Sequence, residues 1–259
     1  MIQVVDVWHH YGVRPVLKDV SLHVECGQLV AVMGPNGMGK STLLALIGGL
    51  LWPLEGFVEI DGKRRRSSVE AEIAIRKKLV YLPDQPFLPP DSTGREFLLA
   101  VGRLYEVGER RLMEHADRLL EVFDLARQAD SPIRSYSTGQ QKKVGICSAL
   151  ITEAPILVLD EPFSGGLDSS ALLALGKILK NLADRKDVTV VMAVPVPELV
   201  EDLAHKIAIV SEGQILAYDT VEGLRRQTGC TGSLNEVLEA LIHPGVFENI
   251  DKYLRGRNA

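Results

Sequence analysis

The residues from Gly34 to Thr42 have the types and spacing needed to hold a chain of phosphates. They follow the pattern G-x-x-x-x-G-K-[ST] and come directly after five apolar residues, Leu29–Met33. Glycines let the backbone turn its N–H groups toward phosphate oxygens, Lys40 brings a cation to the outer phosphates, and the Ser41 hydroxyl can ligate Mg²⁺. The pattern therefore predicts a nucleoside triphosphate site between a strand and a helix. Its nine residues are Gly34, Pro35, Asn36, Gly37, Met38, Gly39, Lys40, Ser41 and Thr42.

An acidic pair follows a second apolar run. Asp160 and Glu161 come directly after Leu157–Leu159. Ligands of open α/β sheets lie at the carboxyl ends of the strands, so we expect the pair beside the phosphate loop. Asp160 would hold Mg²⁺ through water, and Glu161 would polarise the attacking water. The alternative is an ordinary strand that ends in a charged turn.

Regular elements must position these motifs. Short β-prone runs separated by turn residues predict strands at Ile2–Trp8, Val20–Val24, Leu29–Met33 and Phe57–Ile60. Apolar residues recur at three and four positions between Gly94 and Ala126, which predicts amphipathic helix. Beyond Ser135 the pattern predicts strands at 156–159 and 188–194, a helix at 171–182, a hairpin at 207–217 and a last helix at 234–241. This alternation is typical of a parallel α/β sheet.

Composition limits the class of protein. The 259 residues are 46% hydrophobic and 24% charged, with a formal net charge of −5, so the chain can bury a full core as one large domain or two lobes. The acidic balance argues against a protein held mainly by nucleic-acid backbones. One dense basic run, Lys63–Arg66, could touch anionic lipid or nucleic acid, but a solvated loop is the favoured interpretation.

The same composition bears on compartment. No apolar stretch reaches the roughly 18 to 20 residues that span a bilayer, and the N-terminus lacks the pattern of a secretory signal. The three cysteines, Cys26, Cys147 and Cys230, lack metal-ligand spacing and are interpreted as buried or incidental thiols. We expect a soluble chain in a reducing cytoplasm.

A third segment, Ser135–Val144, lies between the two nucleotide motifs. It carries Ser137, Gly139 and Gln140 in the order of the pentapeptide Leu-Ser-Gly-Gly-Gln, and so it resembles the signature segment of ATP-binding-cassette ATPases. Ser137 would donate from its hydroxyl, Gly139 would allow close backbone approach, and a helix beginning there would direct its positive end at a phosphate. A plain serine-capped helix start is the alternative.

The resemblance extends over residues 1–217 and implies a fold. It implies an α/β protein with a P-loop NTPase parallel sheet core, an antiparallel β lobe and an inserted helical lobe at about residues 87–154. The cassette would occupy residues 1–219, and residues 220–259 would form a C-terminal helical tail. Within the tail, Gly232–Leu238 is similar to the ending of cassettes that serve ABC-2-type exporters, although a capped amphipathic helix would look the same.

The resemblance also implies roles and partners. Tyr11 would stack on adenine, Ser41 and Asp160 would hold Mg²⁺, and Glu161 and Lys40 would be catalytic. Asp168, in the loop after the acidic pair, would communicate across a dimer. The family works as a head-to-tail pair in which each nucleotide lies between one phosphate loop and the other subunit's signature. A single cassette therefore implies a second one, in a homo- or heterodimer, together with a membrane-spanning permease.

Several positions depart from the family pattern. Alignment places Pro195 where the family has a histidine that bonds the terminal phosphate, and proline has neither a titratable group nor an N–H donor. Asp84 aligns with a glutamine that links Mg²⁺ and water to the helical lobe, and a one-residue shift would bring Gln85 there; the choice between them stays open. Tyr136 and Thr138 also differ, and a left-handed conformation at Thr138 would be costly.

These observations predict a cytoplasmic subunit, peripheral on the inner face of the membrane, that binds ATP and Mg²⁺ and hydrolyses ATP to power a permease. Loss of one transition-state donor slows enzymes by a factor on the order of 10² to 10³, so hydrolysis is expected to be slow. One alternative is a non-hydrolysing, ATP-gated cassette in a heterodimer. Another is a soluble ATPase acting on nucleic acid or ribosomes, which would normally have paired cassettes or a basic surface.

Overall fold

The computed structural model describes residues 1–243 together with Gly245 and Tyr253. The strands of this part of the chain, β1 to β10, are Ile2–His10, Pro15–Val24, Leu29–Met33, Glu55–Ile60, Lys63–Arg64, Leu79–Leu82, Ile156–Asp160, Thr189–Ala193, Lys206–Ser211 and Gln214–Asp219. Its α-helices, α1 to α9, are Lys40–Gly48, Val69–Arg76, Gly94–Leu104, Glu109–Val122, Thr138–Leu150, Ser169–Asp184, Pro197–Glu201, Val221–Thr228 and Leu234–Ile242. The α/β fold class is confirmed.

A six-stranded sheet forms the centre of the molecule, in the order β10-β9-β3-β8-β7-β6. Strands β9, β3, β8, β7 and β6 are parallel, and β10 closes the sheet in antiparallel pairing with β9. Every residue of β3, β7 and β8 is buried, because both faces of the sheet are covered. The parallel direction brings the carboxyl ends of β3, β7 and β8 to one edge, where the two nucleotide motifs begin.

Successive residues of these strands point into two different hydrophobic clusters. Val30 and Val32 of β3 pack with α1 and the small antiparallel sheet, ordered β2-β1-β4-β5. Leu29, Ala31 and Met33 of the same strand pack with helices α3 to α6. The antiparallel lobe and the helical lobe therefore lie on opposite faces of one central sheet, as a side-chain period of two requires.

The helical lobe lies between β6 and β7 in the chain and contains α3, α4 and α5. The predicted helical region from Gly94 to Ala126 is divided in two, because α3 ends at Leu104 and α4 begins only at Glu109. The helices cross closely at Gly102, where a Cβ would lie 2.1 Å from a Leu112 methyl group. The turn between them lets both apolar stripes face the same core.

The tail packs onto the central domain through buried side chains. Leu224 of α8 and Leu234 and Val237 of α9 belong to the same cluster as the helical lobe. Polar contacts join α8 and α9 to α7, from Arg225 to Glu201 and from Asn235 to Glu198. The end of the predicted tail, residues 244, 246–252 and 254–259, lies outside the described residues.

The basic run at 63–66 is solvated at Lys63, Arg64 and Arg66, as the sequence favours, but it is not wholly a loop. Lys63 and Arg64 form strand β5 against β4, and the Arg65 side chain is only 7% exposed. Arg65 donates to the carbonyl of Ile47 at 2.9 Å and to Glu72 at 2.8 Å, so it closes the end of α1. The thiols also differ from one another: Cys147 is buried, Cys230 is partly exposed and Cys26 is exposed.

Candidate nucleotide site

The phosphate loop connects the end of β3 to the start of α1. Lys40, the first residue of α1, is buried, and its Nζ donates to the carbonyls of Gly34 at 2.8 Å and Pro35 at 2.9 Å. Burial lowers the pKa of Lys40, while the charges of Glu161 and Asp160 act in the opposite direction. The ammonium is therefore held within the loop and close to the acidic pair.

Glycine is required at two points of this loop by space as well as by conformation. A Cβ on Gly34, which has φ +140°, would lie 1.9 Å from the carbonyl oxygen of Val210. A Cβ on Gly39, which has φ +100°, would lie 2.7 Å from a Leu17 methyl group. Gly39 precedes α1 and gives no side-chain cap, so the first N–H groups of the helix stay open to an anion.

A hydroxyl and a carboxylate meet beside the loop. The Ser41 Oγ donates to Asp160 Oδ1 at 3.1 Å, which joins the start of α1 to the end of β7. Burial raises the pKa of Asp160, whereas the Ser41 hydrogen bond acts against that rise. Among the described residues no cationic side chain makes a hydrogen bond or ion pair with Asp160, and such a buried carboxylate fits a Mg²⁺ site, because Mg²⁺ takes one or two protein oxygens with phosphates and water.

Glu161 follows Asp160 in an uncommon backbone conformation. Its φ is +47°, in the left-handed region, which nine other non-glycine residues of the described chain also adopt. The Glu161 N–H donates to the carbonyl of Ala193 in β8 at 3.0 Å, and its own carbonyl accepts from Ser164. These contacts fix the backbone of Glu161 between β8 and the loop after β7.

Two other predicted residues border this site. The Tyr11 hydroxyl lies 3.2 Å from the Thr42 hydroxyl, and the residue is 67% exposed, so an aromatic side chain open to solvent lies next to the phosphate loop. Pro195 is exposed two residues beyond β8, the strand that holds the Glu161 N–H. The next histidine along the chain, His205, does not lie where the family's histidine is expected. It directly precedes β9, at the other end of the sheet, where its Nδ1 accepts from the Leu29 N–H at 2.8 Å.

The signature segment starts helix α5. Ser137 is the N-cap: its hydroxyl accepts from the Gln140 N–H at 3.3 Å, and its own N–H donates to the Gln140 side chain at 2.9 Å. This reciprocal pair is a capping box. Thr138 is already in helical conformation, so the left-handed strain considered at that position does not arise. Across the described residues, no hydrogen bond or ion pair joins residues 137–140 to residues 34–42.

Helix α5 instead contacts the loop after β7. A Cβ on Gly139 would lie 2.8 Å from the Gly166 carbonyl oxygen, and the Lys143 Nζ lies 2.5 Å from Asp168 Oδ2. Asp168 also caps α6, accepting from the Ala171 N–H at 2.8 Å. The Lys143 hydrogen bond holds the pKa of the Asp168 carboxyl well below its usual range. Asp168 is therefore an anion fixed at the start of α6.

Asp84 and Gln85 have different surroundings in the loop after β6. The Asp84 Oδ1 lies 3.0 Å from both Lys142 Nζ and Ser164 Oγ, whereas Gln85 is exposed. Sequence reasoning missed Lys142 and Ser164. A lysine within a polar stretch of helix carries no pattern that predicts burial, and only the fold brings these segments together.

The fold agrees with comparisons to known proteins. A family model described as ABC transporter matches residues 17–164. This chain belongs to the ABC transporter family. The cassette is 34% identical over 219 residues to the daunorubicin resistance ATP-binding protein DrrA3 of Streptomyces coeruleorubidus, an alignment that covers 85% of this chain and 68% of that protein. It is also 31% identical over 229 residues to the ABC-type transporter ATP-binding protein EcsA of Bacillus subtilis, covering 88% and 91% of the two chains.

Solved structures extend the likeness to three dimensions. The cassette matches the ATP binding subunit of an ABC transporter with a TM-score of 0.86 and 30% identity, over 93% of this chain and 99% of that one. It matches the dimeric cassette MJ0796 bound to ADP and phosphate with a TM-score of 0.77 and 28% identity, over 85% and 99%. The predicted fold, and the resemblance that led to it, are confirmed. None of the helices described for the cassette is long and apolar enough to cross a bilayer.

Proposed function

We propose that this cassette binds ATP with Mg²⁺, hydrolyses it to ADP and phosphate, and powers a membrane-spanning permease through ATP-driven dimerisation. The observation that carries the proposal is the meeting of three groups at one edge of the sheet: the Lys40 ammonium, the Ser41–Asp160 pair and the left-handed turn at Glu161. They come from two segments far apart in sequence, the start of α1 and the end of β7, which the Ser41–Asp160 hydrogen bond joins.

Each group has a role that its contacts support. Lys40, with the open N–H groups of α1, would neutralise the outer phosphates. Ser41 and Asp160 would hold Mg²⁺, which when bound neutralises charge on the phosphate oxygens. Glu161 would accept the proton of the attacking water. Tyr11 would stack on the adenine ring. Gln85, which is exposed, would approach the metal from the loop after β6.

A second cassette would complete the site. Ser137, Gly139 and Gln140 are close together at the start of α5, but they make no hydrogen bond to the phosphate loop of their own chain. In a head-to-tail dimer they would contact the nucleotide held by the other copy. Asp168, fixed beside them by Lys143, would connect the two sites across the dimer. The dimeric cassettes among the structural relatives support this arrangement.

The partner would be a permease in the cell membrane, with the cassette on its cytoplasmic face. Relatives named as ATP-binding proteins of resistance and transport systems support this placement, and the likeness to DrrA3 favours an exporter of the ABC-2 type. Nucleic acid is not expected as a partner, since the net charge is −5 and the basic run is partly buried in the fold. A soluble ABC ATPase without a permease is therefore the less favoured function.

One observation favours a second candidate. Pro195 offers no donor at the carboxyl end of β8, and the Asp84 carboxylate already has two partners within the protein. A cassette with these features could bind ATP and close on an active partner without hydrolysing ATP itself. The two candidate functions predict different rates of ATP turnover and the same binding of nucleotide.

Steady-state ATP hydrolysis by the purified chain distinguishes them. We expect turnover above that of Glu161→Gln, with ATP binding retained in Glu161→Gln and lost in Lys40→Ala. Nucleotide affinity is measured on the same samples with a fluorescent ATP analogue. Binding without turnover above the Glu161→Gln background, also after reconstitution with its permease, would contradict hydrolysis and leave the ATP-gated function.

A further inference from the structure

Asp84 lies where three segments around the candidate site meet: the loop after β6, helix α5 and the loop after β7. Its Oδ1 accepts from Lys142 Nζ at 3.0 Å and from Ser164 Oγ at 3.0 Å, and its carbonyl accepts from the same Nζ at 2.9 Å. We propose that Asp84, Lys142 and Ser164 form a latch that positions Glu161, an inference that rests on the proposed hydrolysis. Asp84 is then a positioning residue that acts through the protein.

Ser164 connects the latch to the backbone of Glu161. The Ser164 hydroxyl has one proton and lies within donor distance of two acceptors, Asp84 Oδ1 at 3.0 Å and the Glu161 carbonyl at 2.8 Å. The Ser164 N–H also donates to that carbonyl, at 3.1 Å. Glu161 has a φ of +47°, and these contacts from Ser164 hold its carbonyl in that turn. When the hydroxyl donates to Asp84, the Ser164 N–H still donates to the Glu161 carbonyl, so Asp84 supports the serine that supports this turn.

The Lys142 ammonium requires the Asp84 carboxylate because the lysine side chain is almost fully buried. Its side chain is 5% exposed, and its stem packs on Gly165, where a Cβ would lie 3.3 Å from the lysine Cδ. A buried ammonium requires a charged, hydrogen-bonded partner, and Asp84 is the carboxylate that supplies it. Loss of Asp84 leaves the buried Lys142 ammonium without its carboxylate, whereas the Asp84 side chain, which is 44% exposed, stays in contact with solvent when Lys142 is lost.

The latch joins the helical lobe to the reacting groups. Helix α5 belongs to the helical lobe, and the loop that begins at Glu161 belongs to the parallel core. Contacts on either side of the latch, Gly139 with Gly166 and Lys143 with Asp168, hold the same helix to the same loop. A displacement of the helical lobe is thereby passed to Glu161. The latch role of Asp84 is different from a role in facing the metal, which is left to Gln85.

Turnover of latch variants tests this inference. For Asp84→Asn and for Lys142→Gln we expect kcat to fall at least about tenfold, because misplacement of a catalytic group by about 1 Å costs up to about 10²-fold. The KM for ATP and the affinity of the fluorescent analogue should change less than about twofold, since binding and positioning are separate effects. The double variant should be no slower than the slower single variant, because both remove the same interaction. Multiplied losses in the double variant, or an unchanged kcat in Asp84→Asn, would overturn the latch.

A matched control separates the latch from ordinary ion pairing. Lys77 and Glu106 form an exposed lysine–carboxylate pair at 2.6 Å, remote from the site. Lys77→Gln should leave kcat unchanged, since exposed pairs contribute little. Asp84→Glu keeps the charge and should recover part of the kcat lost in Asp84→Asn. If the charge variants do not fold, Ser164→Ala is the alternative test of the latch, because it removes only one hydroxyl.

Hydrogen exchange tests the latch without relying on turnover. In the nucleotide-free protein we expect Asp84→Asn to accelerate amide exchange in residues 161–168, relative to wild type and to Lys77→Gln. If wild type hydrolyses no ATP while this acceleration is seen, the proposed function fails and the latch stands. Unchanged exchange in that segment would overturn the latch whatever the turnover.

Discussion

Pro195 is the main departure from the family's catalytic residues, because it occupies the position where a histidine that bonds the terminal phosphate is expected. It is exposed just beyond β8, and β8 also holds the backbone of Glu161 through the Ala193 carbonyl. We expect Pro195→His to raise kcat by a factor on the order of 10 to 10², since a transition-state donor typically contributes 10² to 10³. The measurement is steady-state ATP hydrolysis at saturating ATP.

Pro195→Ala is the matched control, because it removes the ring and restores an N–H without adding an imidazole. Its kcat should stay near that of wild type. Equal rates in the histidine and alanine variants would mean that this position takes no part in the transition state. The kcat of wild type would then depend on the other residues of the nucleotide site.

The sequence predicts the contiguous part of the site and misses the part assembled by folding. Lys40, Ser41 and Asp160 lie within short motifs whose backbone geometry is local, so their meeting follows from the parallel direction of β3 and β7. Lys142 and Ser164 come from separate segments that meet Asp84 only when the helical lobe packs on the sheet. No local pattern encodes that packing.

Among the elements, helix α5 presents one serine with two possible uses. Ser137 caps its own helix, and by family likeness it would also contact the nucleotide of a second copy. Ser137→Ala should lower the free energy of unfolding by about 1 kcal/mol, the usual contribution of an N-cap. We expect it also to weaken ATP-dependent dimerisation, measured by light scattering in the Glu161→Gln background.

Ser68→Ala provides the comparison, because Ser68 caps α2 by accepting from the Ala71 N–H at 3.1 Å. Its cost in stability should be similar, and dimerisation should not change. If Ser137→Ala and Ser68→Ala affect dimerisation equally, Ser137 is a cap and nothing more.

Element boundaries were predictable where hydrophobic runs are continuous. Leu29–Met33 is a strand over the predicted residues, because five apolar residues in a row suit a strand covered on both faces. Strand β6 and helix α2 were not predicted; the eight residues of α2 are too few to establish a helical period. Arg65 was misjudged because a charge counts as exposed in sequence, whereas here Glu72 and a helix end supply its partners.

At the scale of the whole molecule, the tail shares a core with the domain that it follows. Leu234, at the start of α9, is 1% exposed and belongs to the cluster that includes Val200 of α7 and the helical lobe. The sequence places a domain boundary between residues 219 and 220, and that boundary stays a prediction. Burial across it indicates that tail and cassette unfold together.

Leu234→Ala tests this cooperation. We expect a loss of about 2 to 5 kcal/mol in the free energy of unfolding, the range for a buried leucine, within a single urea transition. Leu104→Ala is the control, because Leu104 at the end of α3 is 79% exposed and its loss should cost under about 0.5 kcal/mol. Two separate transitions would mean that the tail unfolds on its own, and equal costs for both variants would mean that Leu234 adds no stability to a shared core. A single transition with the larger cost for Leu234→Ala would place α8 and α9 in one cooperative unit with α7, which they contact through Arg225–Glu201 and Asn235–Glu198.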